Sequence, residues 1–209
     1  MDFKEDAFNE KSRYRPNSPY SATKASSDLL VRAWGKTYGL PFNITHSSNN
    51  YGPWQFPEKL IPLTVKNALK DRSIEVYGDG LNVRDWIHVS DHIEAIYQIM
   101  INGKSGEVYN IGGNNELSNI DIVNLICDLL DKMHPRKNNK YSDLIRFVPD
   151  RPGHDKRYGL DINKIINELS WRPKIDFSEG IKGYIEWVLE NKEWLLNKSS
   201  NEGRLGLRK

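Results

Sequence analysis

Short β-type runs alternate with helix-period runs along most of this 209-residue chain, and that alternation limits its fold more than any other feature. Residues 42–46, 74–77, 83–88, 108–111 and 145–148 are brief and rich in β-branched or aromatic side chains, the composition of strands. Between them lie helical stretches near 18–38, 59–70, 91–101, 121–130, 162–169 and 178–196. A strand that returns through a helix re-enters its sheet in the same direction, so the chain is expected to be α/β with parallel pairing.

Local signals sharpen several boundaries. Pro19 suits the first turn of the opening helix and Gly39 its stop, and Ala22, Ala25, Leu29, Ala33 and Trp34 form an apolar stripe. Asp91 and Glu94 are spaced as a capping pair, and Ser118 with Asp121 as another. Cys127 falls on the apolar face of its helix and is expected in the core, as the tryptophans Trp34, Trp86 and Trp187 are in core or interface. Residues 1–17 read as irregular, 18–196 as the ordered body, and 197–209 as a disordered polar tail.

Composition excludes several classes. The net charge is only +2 and no long block of one sign occurs, so no nucleic-acid partner is expected. No apolar run approaches the ~18 residues of a membrane span, and the charged start is unlike a signal peptide. One cysteine allows no internal disulfide. The chain is expected to be soluble and cytoplasmic. His88 and His92 have zinc-like spacing but straddle a strand-to-helix junction without evident further ligands, so no metal is expected.

Four constellations carry chemistry. In Tyr20-Ser21-Ala22-Thr23-Lys24 the four-residue spacing puts phenol and ammonium on one helical face. A tyrosine acting as base near neutrality needs its pKa of ~10 lowered by ~3 units, about 4 kcal/mol. A cation at ~4 Å in an effective dielectric of ~20 supplies about that much. On spacing alone a Tyr-x3-Lys pair is common. The second is Ser48-Asn49-Asn50-Tyr51-Gly52-Pro53, followed by residues 56–62; it serves either as a Pro/Asn turn cluster or as a set of neutral donors and acceptors for a polar ligand. The third spans 77–80 and 84–91, where Arg84 suits either an anionic diphosphate or a salt bridge with Asp79 or Asp85. The fourth is Asp150-Arg151-Pro152-Gly153-His154-Asp155-Lys156-Arg157-Tyr158.

Taken together, and in this order, the four strings resemble the dTDP-glucose 4,6-dehydratase family of the extended short-chain dehydrogenases/reductases over about residues 14–195. The resemblance implies a partial Rossmann-type parallel sheet with a C-terminal sugar-nucleotide-binding lobe. It implies Tyr20 as acid/base at the sugar hydroxyl and Lys24 as the group that holds the nicotinamide ribose of NAD and lowers the tyrosine pKa, with Asn50 beside the cofactor. By the same resemblance Asn49, Lys59, Leu60, Glu75, Tyr77, Arg84, Asn119, Arg151 and His154 face dTDP-glucose, and the full-length form is a homodimer. The implied reaction oxidises C4, eliminates water across C5–C6 and reduces C6, giving the 4-keto-6-deoxy sugar of deoxysugar biosynthesis.

Two expected parts are not found in the sequence. No stretch fits a glycine-rich βα turn for the NAD pyrophosphate: Gly78 and Gly80 lack a third glycine, and Gly112-Gly113 is a pair only. The Thr-Asp-Glu triplet that such dehydratases carry before the tyrosine helix, whose acids drive elimination, is also absent. The isolated chain is therefore expected to be inactive, either as a truncated product or as one half of a split enzyme whose N-terminal half is separate. Two alternatives stand beside this reading: another NAD-dependent sugar-nucleotide epimerase or decarboxylase, and a non-catalytic remnant that binds a nucleotide sugar.

Overall fold

The computed structural model describes residues 6–197; the first residues of the irregular segment and the tail 198–209 lie outside the described residues. In chain order the elements are α1 (Pro19–Tyr38), β1 (Ile44–Ser47), β2 (Asn49–Tyr51), α2 (Leu60–Leu69), β3 (Ile74–Tyr77), β4 (Val83–His88), α3 (Val89–Asn102), β5 (Val108–Ile111) and β6 (Glu116–Ser118). There follow α4 (Asn119–Met133), a 3-10 turn (Tyr141–Leu144), β7 (Ile145–Val148), β8 (Arg157–Tyr158), α5 (Asn163–Leu169), α6 (Phe177–Glu190) and α7 (Lys192–Asn197). They divide into two compact units, Met1–Asn50 with Val83–Glu116 and Arg151–Ile175, and Tyr51–Asn82 with Leu117–Asp150 and Asp176–Lys209.

In the first unit β1 and β5 pair in parallel, Ile44 opposite Val108 and Ser47 opposite Ile111. β4 and β8 also pair in parallel, with Arg84 opposite Tyr158. The core gathers Ile87, Ala95, Ile99, Tyr109, Ile162 and Trp171. α1 forms as its ends dictate: the Ser18 hydroxyl accepts the Ser21 N–H at 3.2 Å, Pro19 opens the first turn, and Gly39, left-handed at φ 68°, closes onto the Gly35 carbonyl. Yet α1 buries none of its residues, and Leu29, Leu30, Trp34 and Tyr38 are exposed. α3 is amphipathic on the inside through Ala95 and Ile99, but Ile93, Ile96, Tyr97, Met100 and Ile101 form a second apolar stripe on its exposed side.

The start of α3 differs from the capping-pair reading. His88 is the N-cap, its Nδ1 accepting the Ser90 N–H at 3.2 Å. Asp91 is buried and accepts the backbone N–H groups of Lys174 (3.0 Å) and Ile175 (2.9 Å), while Glu94 pairs with Lys174. Those partners lie far away in sequence, so local spacing could not assign Asp91 this role.

In the second unit β3 and β7 pair in parallel, Ile74 opposite Ile145. Helices α2, α4 and α6 pack together around Ile61, Val65, Ile122, Ile126, Ile181 and Ile185. Ser118 caps α4 as the sequence predicts, accepting the Asp121 N–H. The stretch read as one helix over 178–196 is two. Asn191 ends α6 by donating its side-chain amide to the Trp187 carbonyl at 2.8 Å, and α7 begins afresh.

Cys127 sits in this core as expected, fully buried, its thiol pushed up to about 12 chiefly by burial and then by Asp131 and Asp128. Because only the thiolate attacks alkylating reagents, the native chain should take up no iodoacetamide at pH 8. In urea the same treatment should label Cys127 fully, as intact-mass spectrometry would record.

Candidate active site

Tyr20 and Lys24 stand one turn apart at the start of α1. Both are exposed, Tyr20 to 74%, and neither side chain has a hydrogen-bond partner among the described residues. One turn further along the same face is Asp28. Its Oδ2 accepts the Tyr14 hydroxyl at 2.9 Å and lies 2.9 Å from His46 Nε2, and Tyr14 and His46 are themselves 3.3 Å apart. Burial first, then the Asp28 carboxylate, pushes the Tyr14 phenol up to about 12. The cluster ties the segment before α1 and the middle of β1 to the helix carrying Tyr20. It was missed in the sequence, although Tyr20, Lys24 and Asp28 at four-residue intervals were the available signal.

Other motifs of the first unit converge through β4. Arg84 is buried, and its guanidinium donates to the carbonyls of Val83 and Asp155, both at 2.7 Å. The second bond ties it to the loop that carries Arg151 and His154. That loop also passes the start of α1: a Cβ on Gly153 would lie 3.9 Å from the Asn17 carbonyl. Asp85, facing away from Arg84 by strand alternation, is buried and accepts the N–H groups of Gly113 (2.9 Å) and Asn115 (2.7 Å). Burial raises its pKa against those bonds. Asp85 thereby fixes the turn that follows β5. Asn49 and Asn50 form β2 where the sequence suggested only loop.

The remaining candidates belong to the second unit. Lys59 is the exposed N-cap of α2 and Leu60 its first residue. Glu75 and Tyr77 lie on β3, and Asn119 opens α4, its N–H donating to the Asn82 carbonyl at 3.1 Å. Gly78 and Gly80 take positive φ (61° and 75°) in the turn after β3. His88 accepts the Ser90 N–H and His92 pairs with the Ser47 hydroxyl of β1 at 2.7 Å, and burial lowers the pKa of both.

A parallel α/β scaffold, a Tyr-x3-Lys helix start and a buried arginine on β4 define a class, and comparison identifies it. The chain belongs to the GDP-mannose 4,6 dehydratase family, whose model matches residues 2–184. It is 54% identical over 193 residues to the dTDP-glucose 4,6-dehydratase of Shigella flexneri, covering 92% of this chain and 53% of that protein. Among solved structures, the dTDP-glucose 4,6-dehydratase of Streptomyces venezuelae with NAD bound matches at TM-score 0.85 and 44% identity, over 91% of this chain and 56% of that one. The UDP-glucose 4-epimerase of Thermotoga maritima with UDP-glucose matches at TM-score 0.81 but 25% identity, over 92% of this chain and 60% of that one. The fold is thus shared with epimerases, while identity falls with the dehydratases. The chain spans about half the length of the curated relatives it matches. No helix among the described residues is long and apolar enough to cross a membrane.

Proposed function

We propose that this chain supplies the acid/base helix and the nucleotide-sugar residues of an NAD-dependent dTDP-glucose 4,6-dehydratase. What supports the reading most is the convergence, within one unit, of the Tyr20 end of α1, the Arg151–His154 loop and the buried Arg84.

In this reading the Tyr20 phenolate takes the proton of the sugar C4 hydroxyl and becomes the phenol, and the charge of Lys24 one turn on stabilises the phenolate before that transfer. Arg84, held rigid by two carbonyls, presents a planar cation to the diphosphate, with Arg151 and His154 on the loop it anchors. Asn49 and Asn50 offer neutral amides, and Lys59, Leu60, Glu75, Tyr77 and Asn119 of the second unit serve the sugar and nucleotide.

Tyr20 and Lys24 fit the nicotinamide-ribose end of NAD, because both side chains are exposed and uncommitted among the described residues. NAD, when bound, accepts hydride from the sugar and returns it. A glycine-rich turn for its pyrophosphate and the acidic pair for elimination are assigned to the part of the relatives' length that this chain does not span. The exposed apolar faces of α1 and α3 suit cover by that part, or by a second copy along α1.

The test is formation of 4-keto-6-deoxy sugar from dTDP-glucose and NAD by this chain alone and with the N-terminal half of the Shigella relative added. Product only in the mixture is expected. Product from the chain alone would overturn the division of labour. No product in either, with dTDP still bound, would replace the enzyme by a nucleotide-sugar binder.

A further inference from the structure

The loop between β2 and α2 contains a residue that its backbone should not tolerate. Gly52, Pro53, Trp54 and Gln55 form a turn closed by the Gln55 N–H on the Gly52 carbonyl at 3.4 Å. Proline at the second position and a positive φ of 67° at the third give it the type II pattern, in which the third position favours glycine or asparagine. Here that position is tryptophan, whose Cβ makes the left-handed conformation unfavourable.

The ring explains the choice. Trp54 meets Trp187 of α6 edge-on at a centroid distance of 5.0 Å and Trp194 of α7 at 5.3 Å, and those two meet each other at 5.6 Å. Such tilted contacts are the favoured geometry for aromatic pairs. Tyr184, stacked on Trp187 at 6.1 Å, backs the group from the core. Just before the turn, Tyr51 is buried against Phe177 at 5.1 Å, so α6 grips the loop at two points. Yet Trp54 remains 61% exposed, so it contributes little to the core itself.

We propose that Trp54 is a positioning residue: its indole, wedged on Trp187 and Trp194, latches the 52–59 loop and thereby sets Lys59 and Leu60 for the nucleotide sugar. The second half of this statement rests on the function proposed above; the latch does not. Backbone preference and ring contact make opposite demands at this position, and that separates them experimentally. Trp54→Gly relieves the backbone and removes the ring, whereas Trp54→Phe keeps an aromatic wedge and the strain.

The experiment is limited trypsin digestion of the full chain, timing cleavage after Lys59, with dTDP affinity by calorimetry and the melting temperature recorded in parallel. Loss of the ring contacts should open the loop and speed cleavage about tenfold in Trp54→Gly, without lowering the melting temperature. Trp54→Phe should stay within about twofold of the parent. dTDP affinity should weaken about tenfold in the glycine variant alone, the equivalent of a lost preorganised loop. Cleavage of Trp54→Gly as slow as the parent, or of Trp54→Phe as fast as the glycine variant, overturns the latch. A glycine variant that binds dTDP as tightly as the parent overturns the positioning role. If the parent itself binds no dTDP, the nucleotide-sugar reading fails, and the digestion still decides the latch.

Discussion

Replacing Tyr20 by phenylalanine should lower turnover of dTDP-glucose by the complemented chain about a thousandfold, the middle of the range for removing a general acid/base. The structure makes this substitution unusually clean. Tyr20 lies in the first turn of α1, 74% exposed, and its hydroxyl holds nothing else among the described residues. Its loss therefore leaves no buried partner unsatisfied, and the melting temperature should not move. The helix start is fixed independently by the Ser18 cap, Pro19 and the Asp28 cluster. dTDP affinity should also be unchanged, because the phenol acts at the sugar and not at the nucleotide. The pattern to look for in steady-state kinetics is a fall in kcat with KM nearly constant. Turnover of Tyr20→Phe within a few-fold of the parent would remove Tyr20 from the acid/base role, whatever the activity of the mixture. Lys24→Met should show a smaller fall, since it acts through the charge it places beside the phenol.

How far the sequence could be read depended on how local each feature is. The bounds of α1 follow from Ser18, Pro19 and Gly39, and the cap of α4 from Ser118, because each acts within one helical turn. β8 and β2 escaped notice because strands of two or three residues have no pattern of their own. They exist because β4 offers an edge to pair with. Asp91 carries the same lesson. Its spacing to Glu94 suggests a cap, but the buried carboxylate serves backbone N–H groups 83 and 84 residues away.

The candidate site divides along the same line. Resemblance supplied residue types and their expected roles, and geometry added which of them are tied together. That Arg84 rests on the Asp155 carbonyl, 71 residues on, could not be read from a motif. Nor could the Tyr14–Asp28–His46 cluster, whose members come from a loop, a helix and a strand. The apolar periodicity of α1 correctly marks a face that wants covering, but periodicity does not say what covers it. In this structure that face is exposed.

Gly113→Ala should be strongly destabilising. An added Cβ would sit 1.8 Å from the Trp86 carbonyl oxygen and 2.7 Å from its carbon, so the obstacle is backbone and not a movable side-chain end. The strand cannot yield cheaply. Trp86 donates its N–H to the Asn115 carbonyl, and Gly113 donates its own to Asp85, so both sides of the contact are anchored. Relief requires breaking those bonds and leaving the buried Asp85 carboxylate short of a donor, which together should cost about 3 kcal/mol or more. For a domain of this size that is a fall of roughly 10 °C in melting temperature. Gly183→Ala is the matched control. In the interior of α6, with nothing within 4 Å of the new methyl, it should stabilise the chain by about 0.5–1 kcal/mol. Equal melting temperatures for the two variants would mean that the turn after β5 does not press on β4. The expected result has a functional side, because Asp85 is adjacent to Arg84 on β4. Gly113→Ala protein that remains folded at low temperature should therefore bind dTDP more weakly than the parent, although Gly113 itself is assigned no contact with the nucleotide.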